Sequence, residues 1–408
     1  MTSTARETAG TTMEETEMHI TRRSFVGGVA GMAGLGLLPG RGFAQIAAPA
    51  NPVTITVVDV AGNLALTQGM FENYAAAKPD WVSSFAFTKA PAPELPAKIQ
   101  AQQAAGRVDI DLVLTGTDAL SAGLDQDLWV DLSAHKANLP DLEGIYLPQA
   151  FKMQALARDR GVVVTYYPSG PLIEYMPDRV ATPPATAEEL LEWAKANPNK
   201  FMYARPANSG PGRTFLMGLP YLLGDSDPRD PVNGWSKTWE YLKAIGEHVE
   251  YYGTGTTQVM KELGEGTRDI VVTTTGWDIN PRVLGIVPAE AKVGTLAGFH
   301  WVTDAHYAVI PKGVPDEKVA VLIDIINFIL QPEQQAIAYD EGYFYPGPAV
   351  KDVTLAMAPQ ASQDALAEFG RPEYEDWIAS NPLETPLEPA QIVDAFRIWD
   401  EQIGAAKG

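Results

Sequence analysis

The sequence predicts a two-domain α/β protein. Short β-rich runs alternate with helical patterns along the chain. Residues 45–408 are also enough for two domains of ordinary size around substantial cores. At 46% hydrophobic and 20% charged, the composition is that of a globular chain rather than a disordered one.

Each element has its own signal. Val53-Thr54-Ile55-Thr56-Val57-Val58-Asp59-Val60 reads as a strand that ends at Ala61-Gly62-Asn63. A helix follows over Glu94–Ala105 with Gly106 at its end, then the strand Asp109–Leu114, stopped by Thr115-Gly116-Thr117-Asp118. Gly161–Tyr167 and Asp269–Thr275 are two further strands. Thr186-Ala187-Glu188-Glu189 is a capping box behind Pro183-Pro184, with Leu190, Trp193 and Ala194 as the buried stripe. Val319, Leu322, Ile323, Ile326, Ile329 and Leu330 recur at helical spacing until Gln331-Pro332 stops the helix. Ile392, Phe396, Trp399 and Ile403 mark the packed face of a last helix.

The N-terminus carries a targeting signal. Thr21-Arg22-Arg23-Ser24-Phe25 precedes an uncharged run from Val26 to Gly40, then Gly42-Phe43-Ala44. A paired arginine, a short Gly-rich apolar run and small residues in that order read as a twin-arginine export signal, residues 1–44, cleaved near Ala44. The run is shorter than the roughly 20 apolar residues a membrane span needs. The mature chain is therefore expected in a periplasm, with no membrane insertion.

Charge and cysteine content exclude several classes. Arg6, Arg22, Arg23 and Arg41 balance Glu7, Glu14, Glu15 and Glu17, so the remainder keeps the net charge of −21. Such a balance disfavours nucleic acid and anionic membrane surfaces. Without cysteine there is no thiol nucleophile, iron–sulfur ligation or Cys-based zinc site. No phosphate-binding loop, Gly-x-Ser-x-Gly elbow or His-Glu-x-x-His helix is present; Gly253-Thr254-Gly255 lacks a third glycine. His300 and His306 flank Asp304, a spacing better suited to structural roles than to a metal. No catalytic residue, cofactor or metal is expected. A secreted hydrolase exported in folded form remains the rival reading.

Two features point to binding. Asn208-Ser209-Gly210-Pro211-Gly212-Arg213-Thr214 follows a strand and opens a helix, a place for a polar or anionic group, although a plain Ser-capped turn has the same pattern. Aromatics recur beside turns at Gly276-Trp277-Asp278, His300-Trp301-Val302-Thr303-Asp304 and Tyr343-Phe344-Tyr345-Pro346, as binding faces or as packing.

The stretch Ala308-Val309-Ile310-Pro311-Lys312-Gly313, the helix ending Phe328-Ile329-Leu330, Gln331-Pro332-Glu333-Gln334-Gln335 and Glu341-Gly342-Tyr343-Phe344-Tyr345-Pro346 resembles the C-terminal half of extracellular solute-binding proteins of ABC importers. Pro183–Leu191, Asp109–Leu114 and Trp129-Val130-Asp131-Leu132 resemble other parts of the same family. The similarity is to the branch of polyamine, thiamine and iron binders. It implies a type II periplasmic-binding fold: two α/β lobes joined by a hinge, with the ligand cleft between them.

The implied layout is lobe 1 from residues 45–165 and 306–348, lobe 2 from 166–305, and a C-terminal helical segment, 349–408, on lobe 1. The hinge crossings are expected near Tyr166–Tyr175 and Phe299–Ala308. The partners implied are a small polar solute (amine, zwitterion or organic anion), an ABC permease and its ATPase, with the receptor a monomer. Ferric iron is the alternative ligand, with Tyr166-Tyr167 and Tyr251-Tyr252 as candidate partners.

Strand-end turns are expected to line the cleft: Gly62, Asn63, Thr117 and Asp118 from lobe 1, and Ser209, Gly210 and Arg213 from lobe 2. Tyr167 belongs at the hinge, and Trp277, Asp278, Trp301, Asp304 and Tyr345 are expected to close the walls.

Overall fold

Residues 46–407 are described by a computed structural model; the export segment read at residues 1–44 lies outside them. Among the described residues ten strands form two sheets: β1 Val53–Asp59, β2 Val82–Lys89, β3 Leu112–Thr115, β4 Val162–Gly170, β5 Leu172–Tyr175, β6 Phe201–Met202, β7 Ile270–Thr273, β8 Lys292–Gly294, β9 Trp301–Val309 and β10 Leu383–Glu384. The first sheet runs β10-β9-β3-β1-β2, with β4 also on β9; the second runs β6-β7-β5-β8. β1 is parallel to β2 and β3, whereas β9 is antiparallel to β3 and β4. Among the described residues no helix is long and apolar enough to cross a membrane.

Strand-rich stretches form because β-branched side chains pack well on a pleated surface. Ile55 and Val57 of β1, Val113 of β3 and Val309 of β9 are all fully buried in one cluster with the helix Asp316–Ile329. The second sheet has its own core, in which Phe201, Tyr203, Phe215, Trp235 and Leu242 meet.

The chain passes between the sheets twice. β4 ends at Gly170 and β5 begins at Leu172, so one residue separates the two. The return runs from β8 to β9. Pairing between β4 and β9 continues through Tyr167↔Asp304 to Gly170↔Val302. Residues 166–170 and 302–305, read from the sequence as lobe 2, thus still belong to the first sheet, because their backbone hydrogen bonds stay in its ladder. They form the antiparallel stem from which the second lobe extends.

The segment 349–408, expected on lobe 1, packs on both lobes. Ala349 and Val350 belong to the first-lobe core and β10 pairs with β9, whereas Ile392, Ala395, Trp399 and Ile403 lie with Tyr203, Phe215 and Tyr252, and Leu366 and Tyr374 lie with Leu172, Ile279 and Trp301. The helix Pro389–Gln402 also runs against the first-lobe helix Thr117–Asp125. Arg205 lies 3.7 Å from Asp400 on the second-lobe side, and Arg158 lies 3.0 Å from Glu388 on the first-lobe side. This helix therefore straps one lobe to the other.

A buried charge cluster anchors the rest of that segment. Asp278 accepts from Arg371 at 2.8 Å and lies 3.6 Å from Arg282, which donates to the Phe369 carbonyl. Glu174 on β5 is fully buried beside them with neither carboxyl oxygen hydrogen-bonded. Burial, and then the Asp278 charge, push its carboxyl well above the ordinary 4.5. A raised carboxyl favours the folded state below 4.5, and that advantage is lost as pH rises towards the folded value. Glu174→Gln, neutral at every pH, should gain on the wild type as pH increases from 4.5 upward. Melting curves across that range check this, and a stability difference that does not change with pH would refute it.

Candidate functional site

A cavity of about 380 Å³ lies between the lobes, walled by turns at the ends of strands. The floor begins with Asp59 at the end of β1. Its carboxylate accepts the amides of Ala61, Asn63 and Leu64, each at 3.0 Å, and so fixes the start of the helix Leu64–Ala77. Gly62 in this turn has φ +78°, and a β-carbon there would sit 2.6 Å from the Tyr343 hydroxyl. Only glycine fits both the conformation and the contact.

The second lobe contributes Ser209, Gly210 and Arg213 from the start of the helix Gly210–Leu222. Ser209 caps it by accepting the Gly212 amide at 3.2 Å. A β-carbon on Gly212 would lie 2.2 Å from the Ala204 carbonyl, so glycine lets this turn press onto the backbone just past β6. The placement aims Arg213 across the cleft. Its Nη1 donates to Asp118 of the first lobe at 3.1 Å, and its Nη2 donates to Asp304 on β9. Asp304 also accepts from the Tyr167 hydroxyl at 2.9 Å and lies 3.5 Å from the Thr117 hydroxyl. Burial works against the guanidinium charge, but Asp304 and Asp118 outweigh it and hold Arg213 more firmly protonated than usual. Burial, with the Asp304 charge next, raises the Tyr167 phenol, which stays a donor.

The third wall is aromatic. The turn at Gly276 packs on the backbone of the loop after Gly342; with φ +93°, a β-carbon there would meet the Phe344 amide at 2.4 Å. That contact sets Trp277 edge-on to Tyr343, with ring centroids 5.2 Å apart, and near Phe344 at 6.2 Å. His306 stands against Phe344 at 4.7 Å, and its Nδ1 lies 3.0 Å from both the Asn63 amide and the Thr165 hydroxyl. Burial lowers the imidazole pKa, favouring the neutral ring.

Of the residues expected from the sequence, Gly62, Asp118, Tyr167, Ser209, Gly210, Arg213 and Trp277 line the cavity. Asn63, Thr117 and Asp304 stand behind it, holding His306, Asp304 and Arg213 respectively. Three lie elsewhere. Asp278 is held by Arg371 and Arg282. Trp301 is fully buried, donating to the Trp377 carbonyl at 3.1 Å beneath the C-terminal segment. Tyr345 packs on Tyr339 and Tyr374.

The sequence reading missed His306, the Tyr343–Phe344 pair and the turn Thr254–Gln258. Strand alternation was the signal for His306: two residues past Asp304, it faces the same side. Tyr343 and Phe344 replace Tyr345 because Phe344 takes φ +52°, turning the chain after it.

The four tyrosines weighed for iron do not converge. Tyr166 and Tyr167 are strand neighbours and face opposite sides; Tyr251 bonds Glu262, and Tyr252 packs on Tyr203 and Trp399. Among the described residues no group of three or more His, Cys, Asp or Glu side chains is placed to hold a metal ion.

The fold is found in solved structures of low sequence identity. A Listeria monocytogenes protein assigned as a spermidine/putrescine ABC transporter has a TM-score of 0.60 at 16% identity, covering 86% of this chain and 98% of its own. The Atu4243-GABA receptor gives 0.59 at 17%, covering 86% and 96%. Iron-bound HitA from Pseudomonas aeruginosa gives 0.57 at 14%, covering 85% and 99%. These are type II periplasmic-binding proteins, and the two sheets and interlobe cavity described above have that architecture. No functionally curated protein matches the sequence. The profile of a family described as bacterial extracellular solute-binding protein matches residues 69–368, most of the chain. The protein therefore belongs to the bacterial extracellular solute-binding proteins, the substrate-binding components of ABC transporters.

Proposed function

We propose that this chain is exported through its twin-arginine segment, cleaved near Ala44, and captures a small polar solute in the periplasm without transforming it. The observation that carries this reading is a cavity lined from both lobes and bridged by Arg213–Asp118. A group bound there touches both lobes at once, so its contacts favour the closed arrangement over the open one. At about 380 Å³ the cavity suits a compact solute rather than an oligomer. The closed receptor then docks on a permease served by a cytoplasmic ATPase, and opening releases the cargo. Thermal shift with a solute panel tests the reading: the stabilising compound should be recovered unchanged, and its turnover would make the protein an enzyme.

Two substitutions separate the architecture from the recognition. Arg213→Ala leaves Asp304 buried without its cation, so unfolding should become easier by roughly 3–5 kcal/mol, with binding lost. Adding Asp304→Asn should restore part of that stability, as urea titrations will show. Trp277→Phe keeps most of the ring packing of a half-buried wall and should leave the urea midpoint nearly unchanged while weakening solute binding about tenfold by calorimetry. Full affinity in the Trp277 variant would remove that wall from the site.

A further inference from the structure

Resting on the cleft as the binding site, we infer that its cargo is a zwitterion, with a carboxylate or similar anion at one end and an ammonium at the other. Some polar groups in the cavity already have partners and others do not.

The donors are free. The helix Thr256–Gly264 starts at the cavity behind Gly255, which offers no side-chain cap, and among the described residues its first amides have no protein partner. The neighbouring helix start, by contrast, is closed by its own Ser209. A bare helix start directs N–H groups and a partial positive charge at an anion. A second observation points the same way. His306 is only 2% exposed, yet it lines the cavity. Its Nδ1 faces the Asn63 amide, whose own oxygen accepts from Thr67 at 2.8 Å. That assigns Nδ1 as acceptor and puts the ring proton on Nε2, which has no protein partner among the described residues. Trp277 and Tyr343 also line the cavity, and among the described residues neither the indole N–H nor the phenol hydroxyl has a hydrogen-bond partner.

The acceptors carry the opposite charge. Arg213 is the only cationic side chain on the cavity wall among the described residues, and Asp118 and Asp304 already share it. One guanidinium against two carboxylates leaves the trio at −1. Asp118 retains 14% side-chain exposure, so its carboxylate can accept from a further donor. A diamine would satisfy Asp118 but leave the bare helix start and His306 facing nothing. A dianion would satisfy those donors but meet the trio's negative charge. A zwitterion suits both ends, with its ammonium against Asp118 and its carboxylate on the Thr256 helix start.

Matched four-carbon probes test the charge pattern: 4-aminobutyrate, succinate and putrescine, each at about 10 mM in thermal shift at pH 7. Mass spectrometry of whatever the purified full chain carries runs alongside. A shift largest with 4-aminobutyrate, or a carried compound bearing both charges, supports the inference. A shift largest with putrescine or succinate, or a carried compound lacking either charge, overturns it while leaving the solute-binding reading standing. If no probe shifts the protein and nothing is carried, both fall.

Substitutions locate the two ends, with the supporting probe as titrant. Thr256→Pro removes the first amide of a helix whose preceding residue is already extended (φ −170°, ψ 170°), where proline fits. It should bind at least tenfold more weakly than Thr256→Ala, which loses the hydroxyl, its bond to Ser209 and the γ-methyl but keeps the amide. Asp118→Asn should cost a similar factor, and His306→Phe, which keeps the ring packing, should also weaken binding. If Thr256→Pro and Thr256→Ala bind equally while His306→Phe binds like wild type, the anion is not held here.

Discussion

Everything at the cleft depends on one guanidinium held between two carboxylates. Arg213 comes from a helix start in the second lobe, Asp118 from a helix start in the first, and Asp304 from the strand that joins them. Each charge would be costly to bury alone. Together they hold Tyr167 and Thr117 in place, fix how closely the lobes approach, and leave a small negative balance at one side of the cavity. The backbone serves this arrangement. Gly212 lets the Arg213 turn press onto the Ala204 backbone, and Gly62 and Gly276 let the opposing turns close around it.

The fold was largely legible because it rests on local patterns. The strand at Val53, the capping box at Thr186 and the apolar stripe of Asp316–Ile329 each follow from periodicity and terminal signals. The site was legible where function and turn chemistry coincide, as at Gly62, Asp118 and the Ser209–Arg213 turn. It was obscured where the answer depends on distant chain. Arg213 looked free for a ligand anion, but two carboxylates far away in sequence already occupy it. Asp278 looked like a wall residue, but Arg371 claims it. Trp301 is covered by a segment around Trp377 whose docking no spacing rule shows.

His306 teaches the complementary lesson. Read as a residue type it suggested a structural role, and its Nδ1 has one, tied to Asn63 and Thr165. Read by strand period it shares a face with Asp304, and its other nitrogen belongs to the cavity. One side chain thus does both jobs, and its hydrogen-bonded half fixes the chemistry that the free half presents.

The helix Pro389–Gln402 has a mechanical consequence. It is tied to the second lobe through Trp399, which donates to Tyr203 at 3.0 Å, and it lies along the first-lobe helix that carries Asp118. Beside that contact is a shallow gap bordered by Ala119 and Ala122 on one helix and by Val393 and Phe396 on the other. Ala119 and Ala122 present short side chains to it, while Gln100 and Gln126 border the same gap. Any change in the angle between the lobes must therefore either shift this helix across Ala119 and Ala122 or pull it away from Tyr203.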